Sequence, residues 1–408
     1  MAVIVQKYGG SSVADARKIR NVARRIEICK DSGNDMVVVV SAMGDTTDEL
    51  ISLARQMTDL PDERELDVLL STGEIVSSTL MAMALRGEGY PAVSLTGMQA
   101  GIQTDSSHSK ARITRIDPQR ILGELKKGNI VIVAGFQGVT ADMDTTTLGR
   151  GGSDTTAVAL AASLGAQVCE IYSDVEGVLS ADPRVVPDAV KLSQIGYEEM
   201  LELATYGAKV IAPRAVELGQ VYGMPILVAS SSSNARGTLI CKEASMELRN
   251  KVSGIAHDTN VAKITVVGVP DRPGVAKDIF GPLARANISI DTIVQNAGSD
   301  NVTDVTFTAA RTDLVKALSI VEPVAKKLGA TKVVRDETLA KVSIIGTGMQ
   351  NTPGYAARMF RALFEEDINI QLITTSEIRI TCIISEGRVE DAVRALHSAF
   401  EVEFHRPE

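Results

Sequence analysis

Aromatic side chains are scarce in this sequence. Its 408 residues include no tryptophan, and aromatic residues make up 3% of the chain, although hydrophobic residues amount to 45%. The buried cores must therefore consist mainly of aliphatic side chains, which is typical of sheets covered on both faces. A chain of this length is expected to form two or three domains.

Cysteine and histidine are also rare. The cysteines are Cys29, Cys169, Cys241 and Cys382. Their wide spacing matches no metal or redox motif and predicts free thiols in a reducing cytoplasm. The histidines are His108, His257, His397 and His405. Since these are scattered, and none is expected near the glycine-rich stretch described below, we expect no histidine base, no zinc site and no metal held by the protein.

An excess of positive charge and long apolar runs are missing as well. The net charge is −9, which argues against nucleic acid or an acidic membrane as the main partner. No apolar run is expected to reach the roughly 18 residues of a membrane span. The first six residues do not resemble a signal peptide, so a cytoplasmic protein is expected.

A glycine-rich stretch, residues 145–157, organises the first half of the chain. It begins with turn residues and leads into a helix predicted over residues 157–165, for which Ser153, Asp154 and Thr155 are suitable N-caps. Helix N-termini attract anions, and Arg150 adds donors suited to a carboxylate or phosphate. The residues favour an anion site, with a simple helix-starting turn as the alternative.

Polar residues also follow several predicted strands. Lys7-Tyr8-Gly9-Gly10-Ser11 lies between a strand at residues 2–6 and a helix at 15–30, which indicates either a phosphate cradle or a structural turn. Residues 41–47 follow a strand at 36–40, where open α/β sheets bind ligands. Glu74, in a helix over 66–85, is either a solvated charge or a ligand for a substrate ammonium.

Further strands are predicted at 92–95, 130–134, 168–172 and 225–229, with one helix over 201–219 that contains Lys209. Asp and Arg side chains after the strand at 168–172 suit ribose and phosphate contacts. Strands that alternate with helices imply a largely parallel sheet covered on both faces.

The last 160 or so residues contain an internal repeat. Pro273-Gly274 and Pro353-Gly354 are 80 residues apart, and so are Ile290 and Ile370. The order of predicted elements gives two βαββαβ units. Such units bind small ligands at their loops or act as dimerisation modules, and both interpretations stay open.

Together these motifs resemble the aspartokinase family over essentially the whole chain. The resemblance is carried by residues 7–13, 41–44, 73–74, 149–155, 172–178 and 182–184 in this order. It implies a three-layer αβα sandwich, the amino-acid-kinase fold with a mainly parallel sheet, followed by two ferredoxin-like ACT domains. The implied boundaries are 1–245 for the kinase domain, 246–262 for a linker or first strand, and 263–336 and 337–408 for the ACT domains.

The resemblance implies phosphorylation of L-aspartate by ATP, with Mg²⁺ carried by the nucleotide, in lysine, threonine and methionine synthesis. The implied catalytic residues are Lys7 and Asp154. The implied ATP-binding residues are Lys7, Tyr8, Gly9, Gly10, Ser11, Ser41, Ser173, Asp174, Leu179, Ser180, Ala181, Asp182, Pro183, Arg184 and Lys209. The implied aspartate-binding residues are Thr46, Thr47, Glu74, Arg150, Gly151, Gly152, Ser153 and Asp154. Tyr8, Ser173 and Ala212 depart from the Phe, Thr and His found in other members.

Feedback inhibition by lysine, threonine or both is the implied regulation. The implied effector positions are Asp271, Pro273, Gly274, Val275, Ala276, Ser289, Ile290, Asp291, Gln295, Tyr355, Ala356, Asn369, Ile370, Ser376 and Glu377. A homo-oligomer through the ACT domains is expected, or an α2β2 assembly with a regulatory subunit started near Met246. The sequence does not determine the effector or the oligomer size.

Three rival hypotheses remain. The first is a kinase acting on glutamate or acetylglutamate, which Glu74 and residues 150–154 disfavour. The second is an amino-acid sensor with an inactive kinase domain, which the presence of Lys7, Asp154 and Asp174 disfavours. The third is a dinucleotide-binding dehydrogenase, but no GxGxxG motif follows a predicted strand.

Overall fold

The computed structural model describes residues 2–242, 252–296, 301–350 and 352–404, which form two units. The first unit comprises Met1–Leu179 and Val190–Leu248, and the second comprises Ser180–Ala189 and Arg249–Glu408. The segment Ser180–Ala189 therefore groups with the C-terminal half, although the predicted kinase domain includes it. Met246 lies outside the described residues, so the domain boundaries stay predictions.

A mainly parallel sheet forms the centre of the first unit. The strands of this unit are β1 (Val3–Tyr8), β2 (Asp35–Val40), β3 (Ala92–Leu95), β4 (Ile102–Thr104), β5 (Ile113–Ile116), β6 (Ile130–Ala134), β7 (Gln137–Val139), β8 (Thr145–Thr147), β9 (Cys169–Ser173), β10 (Gln194–Gly196), β11 (Ile226–Ser230) and β12 (Thr238–Cys241). Eight of them form the sheet β10-β12-β11-β9-β1-β2-β6-β3, in which the β11–β12 pair alone is antiparallel. The predicted parallel sheet is confirmed.

Helices cover this sheet on both faces. They are α1 (Ala16–Asp31), α2 (Thr46–Met57), α3 (Glu63–Gly87), α4 (Gln119–Lys126), α5 (Gly152–Leu164), α6 (Tyr197–Thr205) and α7 (Pro213–Tyr222). All five residues of β6 are buried, as expected of a strand with protein on both sides. In this way α1 packs with α3 and α5 packs with α7, and both groups contact the sheet.

The prediction of a single helix over residues 201–219 was wrong, because the structure has two helices there. The chain leaves α6 after Thr205 and starts α7 at Pro213, so Lys209 lies in the connecting loop. Gly207 has a φ of +130°, which an α-helix does not accommodate. A proline at the first position of α7 then suits a new helix start.

A second, four-stranded sheet in this unit was not predicted. Its order is β5-β4-β7-β8, and its strands have only three or four residues. Segments this short carry too few alternations for a strand to be recognised. The turn expected at residues 145–147 is the edge strand β8, which leads directly into the glycine-rich loop.

Helix α3 is unusually long and apolar. Its 25 residues make it, within the described part of the chain, the one helix that by length and composition could cross a membrane. Half of its apolar stretch is buried in the structure, and a core helix passes the same test. Its side chains Asp67 and Glu74 are buried by surrounding protein, which is the packing of a core helix.

The second unit confirms the internal repeat. Its strands are β13 (Gly254–Pro270), β14 (Ile290–Gln295), β15 (Val302–Ala309), β16 (Lys332–Ile345), β17 (Leu372–Thr375) and β18 (Arg379–Ser385), and its helices are α8 (Val275–Arg285), α9 (Leu314–Leu328), α10 (Tyr355–Glu365) and α11 (Val389–Phe404). The strands form one antiparallel sheet in the order β14-β15-β13-β16-β18-β17.

Two long central strands join the repeats. The end of β13 pairs with the start of β16, whereas Gly254–His257 pair with Val342–Ile345. Each long strand therefore belongs to both repeats. Strand β13 starts at Gly254, before residue 263, where the first ACT domain is implied to begin. Its first residues supply a strand that the second repeat lacks in its own sequence.

Candidate active site

The carboxyl ends of four neighbouring parallel strands form the edge where the predicted site residues meet. Backbone hydrogen bonds continue past the strands: Gly9 N donates to Tyr172 O at 3.1 Å, and Ser41 N donates to Tyr8 O at 3.1 Å. Gly135 N donates to Val40 O at 3.1 Å. The ends of β9, β1, β2 and β6 therefore present a continuous polar edge, which is where open α/β sheets bind ligands.

Lys7 and Asp154 form an ion pair at this edge. Lys7 Nζ lies 2.6 Å from Asp154 Oδ1, and about a tenth of each side chain is exposed. Asp154 Oδ2 accepts a hydrogen bond from Ala212 N at 3.1 Å. The fold thus brings together the two predicted catalytic residues, one from the end of β1 and one from the first turn of α5.

Two glycines, Gly9 and Gly10, follow Lys7 in the turn after β1. A Cβ added at Gly10 would lie 2.7 Å from Ala42 O, so a side chain there would collide with backbone. A Cβ at Gly9 would lie 3.5 Å from Lys7 Nζ, in ordinary contact with the ammonium. Ser11 is exposed beside them in the turn that follows β1. The Lys7 ammonium therefore lies against the backbone of the turn that follows β1.

The glycine-rich loop bends sharply before α5. Gly151 has a φ of +71° and is the N-cap of the helix. Ser153, Asp154 and Thr155 were predicted as caps, but they lie inside the first turn, because the helix begins at Gly152. Ser153 is buried, with its hydroxyl against Gly135, whereas Arg150 is exposed.

Glu74 is not a solvated helix charge. Its side chain is 3% exposed, and Oε1 accepts a hydrogen bond from Ala42 N at 3.0 Å. Oε2 is buried and has no hydrogen-bond partner among the described residues. Burial raises the pKa of this carboxyl from 4.5 to about 7. A buried carboxylate with an unused oxygen is suited to a cationic ligand group, which supports the ammonium interpretation.

Thr46 and Thr47, two further predicted substrate residues, lie at the start of α2. Thr46 begins α2 and donates through Oγ1 to Met43 O at 2.6 Å, and Thr47 follows it in the first turn. A Cβ at Gly73 would lie 2.8 Å from Ala42 Cβ, so α3 packs tightly against the loop after β2. The predicted substrate positions in this loop and in α3 are therefore brought together.

The predicted nucleotide residues are distributed more widely. Ser173 ends β9 and accepts through its carbonyl from Ser231 N at 2.8 Å, while Asp174 and Lys209 are exposed in loops. The Tyr8 side chain is fully buried and stacks on Tyr172, with ring centroids 5.1 Å apart. Its ring therefore belongs to the core of the unit.

Leu179 ends the first segment of the first unit, and the segment from Ser180 to Arg184 belongs to the second unit. There Asp182 pairs with Arg184 at 2.6 Å, and Ser180 Oγ lies 3.0 Å from His397 Nε2. This packing was not predicted, because no local pattern in the sequence indicates the partner of Ser180.

A cluster around Asp67 was also not predicted. The Asp67 carboxylate is fully buried and accepts hydrogen bonds from Thr147 Oγ1 at 2.5 Å and from Ser109 N at 3.0 Å, with His108 Nδ1 2.9 Å away. The expectation that no histidine approaches the glycine-rich stretch was therefore wrong for His108. The polar run at residues 105–110 was a signal for this turn.

The predicted effector positions lie in the second unit. Gly274 and Gly354 are the N-caps of α8 and α10, with φ of +99° and +106°. A cavity of about 490 Å³ is lined by Met349, Gln350, Thr352, Pro353, Ser376 and Glu377. Asp291 accepts a hydrogen bond from Thr308 and pairs with Lys341.

The other predicted effector positions differ in exposure. Val275 and Tyr355 are buried, and the Tyr355 ring stacks on Phe400. Ala356, Ile290 and Ile370 are partly buried. The exposed positions are Asp271, Pro273, Ala276, Ser289, Gln295 and Asn369.

Comparison with protein families gives matches over most of the chain. Residues 2–230 match the amino acid kinase family, and residues 263–325 and 342–400 each match an ACT domain. The chain is 52% identical over 405 residues to an aspartate kinase of Stutzerimonas stutzeri, covering 99% of this chain and 98% of that protein.

Solved structures give the same picture. The fold matches that of E. coli aspartokinase III in complex with aspartate and ADP (R-state), with a TM-score of 0.82, 26% identity, and coverage of 97% of this chain and 99% of that chain. The complex of the same enzyme with lysine and aspartate (T-state) matches with a TM-score of 0.71, 26% identity, and coverage of 98% and 99%.

Proposed function

Because the chain belongs to the amino acid kinase family and is an aspartate kinase, we propose that it transfers the γ-phosphoryl group of MgATP to the side-chain carboxylate of L-aspartate. The products are 4-phospho-L-aspartate and ADP. The observation that carries this proposal is the Lys7–Asp154 ion pair at the carboxyl edge of the sheet, beside the N-terminus of α5.

The reaction needs little acid–base chemistry from the protein. The side chain of aspartate has an ordinary pKa of about 3.9 and is ionised at pH 7. One of its oxygens attacks the γ-phosphorus, and the bond between that phosphorus and the β,γ-bridging oxygen breaks. The bonding electrons leave with ADP. No proton is transferred, so a histidine base is not needed.

Positioning and charge neutralisation are then the main tasks of the site. Lys7 supplies a positive charge close to the polar edge, and Asp154 holds its ammonium in place from 2.6 Å away. The start of α5 carries the positive end of the helix dipole and attracts negative charge. Magnesium carried by the nucleotide supplies further charge neutralisation.

We propose that Glu74 and Arg150 bind the amino-acid end of aspartate. The unused Oε2 of Glu74 accepts a hydrogen bond from the ammonium of aspartate, and the Arg150 guanidinium binds its α-carboxylate. Thr47 and Ser153 complete the substrate site. The nucleotide roles of Ser41, Ser173, Asp174, Lys209 and residues 179–184 remain part of the same proposal.

For regulation, we propose that lysine, threonine or both bind at the ACT repeats and inhibit the kinase. The cavity that Ser376 and Glu377 line is large enough for a free amino acid, and Glu377 offers a carboxylate to its ammonium. A related enzyme was solved with lysine and aspartate. Assembly through the ACT repeats, alone or with a shorter subunit started near Met246, is part of this proposal, as is a cytoplasmic location.

The test is ATP-dependent acyl-hydroxamate formation from L-aspartate with Mg²⁺ and hydroxylamine, with lysine and threonine added singly and together. We expect product with aspartate and none with glutamate or acetylglutamate, and less product with effector. Product without inhibition would contradict the effector proposal alone. A folded preparation that forms no product with any amino acid would favour the sensor hypothesis.

A further inference from the structure

The glycine-rich loop follows a short strand, β8, whose own hydrogen bonds do not determine the position of the loop. β8 has three residues and lies at the edge of the four-stranded sheet, next to β7. An edge strand has ladder hydrogen bonds on one side only. Arg150 follows Thr147, the last residue of β8, by three positions. Other contacts must therefore determine where Arg150 lies.

Asp67 holds one side of this strand. Its carboxylate is fully buried, and it accepts from the hydroxyl of Thr147 and from Ser109 N. The neighbouring backbone is tied in as well, since Ala111 N donates to Thr147 O at 2.9 Å. A buried carboxylate is costly unless donors surround it. These donors therefore fix β8 to α3, the helix that carries Asp67.

Arg214 holds the loop from α7. Its guanidinium donates to Leu148 O at 3.0 Å and to Ala111 O at 2.8 Å. Two residues earlier, Ala212 N donates to Asp154. The start of α7 thus contacts both ends of the glycine-rich loop, and Arg214 joins the loop to the segment that precedes β5.

Helix α3 carries both Asp67, which binds β8, and Glu74, which belongs to the proposed substrate site. Asp67 and Glu74 are seven residues apart, about two helical turns, and so they project from the same side of α3. Glu74 contacts the loop after β2, while Asp67 contacts β8. Helix α3 therefore connects Glu74 to the strand β8 that leads into the loop with Arg150.

We propose that Asp67 and Arg214 are positioning residues that set the separation between Glu74 and Arg150. They thereby determine the affinity for aspartate and the preference for aspartate over the longer glutamate. This inference rests on the proposed function, in which Glu74 and Arg150 bind the amino-acid end of the substrate. Neither positioning residue contacts the reacting groups in that mechanism.

Two mild substitutions test the proposal. Arg214→Lys replaces the guanidinium, which donates to two carbonyls, by a single ammonium. Thr147→Val keeps the side-chain shape but removes the hydroxyl that donates to Asp67. The control is Arg86→Lys, because Arg86 Nε also donates to a backbone carbonyl, Ala92 O at 2.7 Å, in the same unit. The KM values for both substrates, the aspartate Kd by calorimetry and the unfolding midpoint are measured.

We expect both test variants to raise the KM and Kd for aspartate about tenfold, the effect of losing one or two hydrogen bonds. The KM for MgATP should change less than about twofold, and the ratio of kcat/KM for aspartate to that for glutamate should fall. Arg86→Lys should leave all of these values within about twofold of wild type.

Equal increases in both KM values would overturn the proposal, and so would a lower unfolding midpoint with unchanged aspartate Kd. Failure of the proposed function is visible separately, as absence of aspartate phosphorylation by the wild type. In that case the aspartate Kd from calorimetry still tests the positioning role. The role is contradicted if the wild type does not bind aspartate, or if the variants bind it as tightly as the wild type does.

Discussion

Both units place a glycine in the left-handed conformation before a helix that carries predicted site residues, but the two units pack this glycine differently. Gly151 precedes α5 in the first unit, whereas Gly274 and Gly354 precede α8 and α10 in the second. A Cβ at Gly151 would lie 2.3 Å from Ala212 Cβ. At Gly274 and Gly354 a Cβ would meet no atom within 4 Å.

The surroundings of the two kinds of helix start differ in the same way. Behind Gly151, Lys7 and Asp154 are already paired and mostly buried. Around Gly354, Ser376 and Glu377 line an open cavity and are exposed. A preformed site suits a reaction that depends on fixed positions. An open turn suits a ligand that stabilises one of two states.

The largest expected effect comes from Lys7→Ala. If the first unit is preformed around this ammonium, its loss removes charge neutralisation from the transition state. We expect kcat to fall about a thousandfold, in the range for removing one electrostatic contact in an active site. The aspartate Kd should change only a fewfold, since Lys7 is not assigned to the amino acid. Steady-state kinetics and calorimetry measure both quantities.

The control for this prediction is Lys127→Ala. Lys127 pairs with Glu124 at 3.1 Å, but two thirds of its side chain are exposed, so little change is expected. Similar losses of turnover and of aspartate affinity in Lys7→Ala would contradict its assigned role. They would also weaken the contrast between a preformed site and an open one.

The next largest effect is expected from Glu74→Gln. The loss of a buried carboxylate that accepts an ammonium should raise the KM for aspartate about a hundredfold. Because the pKa of Glu74 is about 7, aspartate binding by the wild type should strengthen as the pH rises through 7. The variant should lose this dependence. Calorimetric titrations between pH 6 and 8 provide the measurement.

Glu74 also links pH to stability. The ordinary pKa of its carboxyl, which applies to the unfolded chain, is 4.5, and burial raises the pKa to about 7 in the folded protein. The folded state therefore binds more protons between these values, and its free energy of unfolding falls as the pH rises through this range. Glu74→Gln should raise the free energy of unfolding at pH 8, by at most about 3 kcal/mol. A variant that is less stable at pH 8 would contradict this account.

Much of the fold was predictable because its signals are local. The apolar runs in β2 and β6, the helix that follows β1 and the 80-residue repeat all follow from the sequence. The ordered motifs also indicated Lys7 and Asp154, which the fold brings within 2.6 Å. Periodicity and turn chemistry carry the information on the strands, the helix and the repeat, whereas the resemblance to the aspartokinase family implied the roles of Lys7 and Asp154.

The missed features depend on contacts distant in sequence. Asp67 and Thr147 are 80 residues apart, and nothing near Asp67 distinguishes a buried acceptor from a surface charge. The short strands of the four-stranded sheet have too few residues for a pattern. Strands β13 and β16 are long enough for each to take part in both repeats. Their pairing in the sheet reveals this, and no local sequence pattern does.

The last prediction, which concerns stability alone, separates backbone strain from close packing. Gly151 and Gly165 have similar φ angles, +71° and +62°, but no atom lies within 4 Å of a Cβ at Gly165. Gly165→Ala should cost about 1 kcal/mol of unfolding free energy through backbone strain alone. Gly151→Ala should cost about 2 kcal/mol more, because its methyl group would overlap Ala212. Gly354→Ala in the second unit should show the cost of strain without overlap. Thermal and urea unfolding measure these free energies. Equal decreases for Gly151→Ala and Gly165→Ala would mean that the start of α5 adjusts to a methyl group as easily as an open turn does.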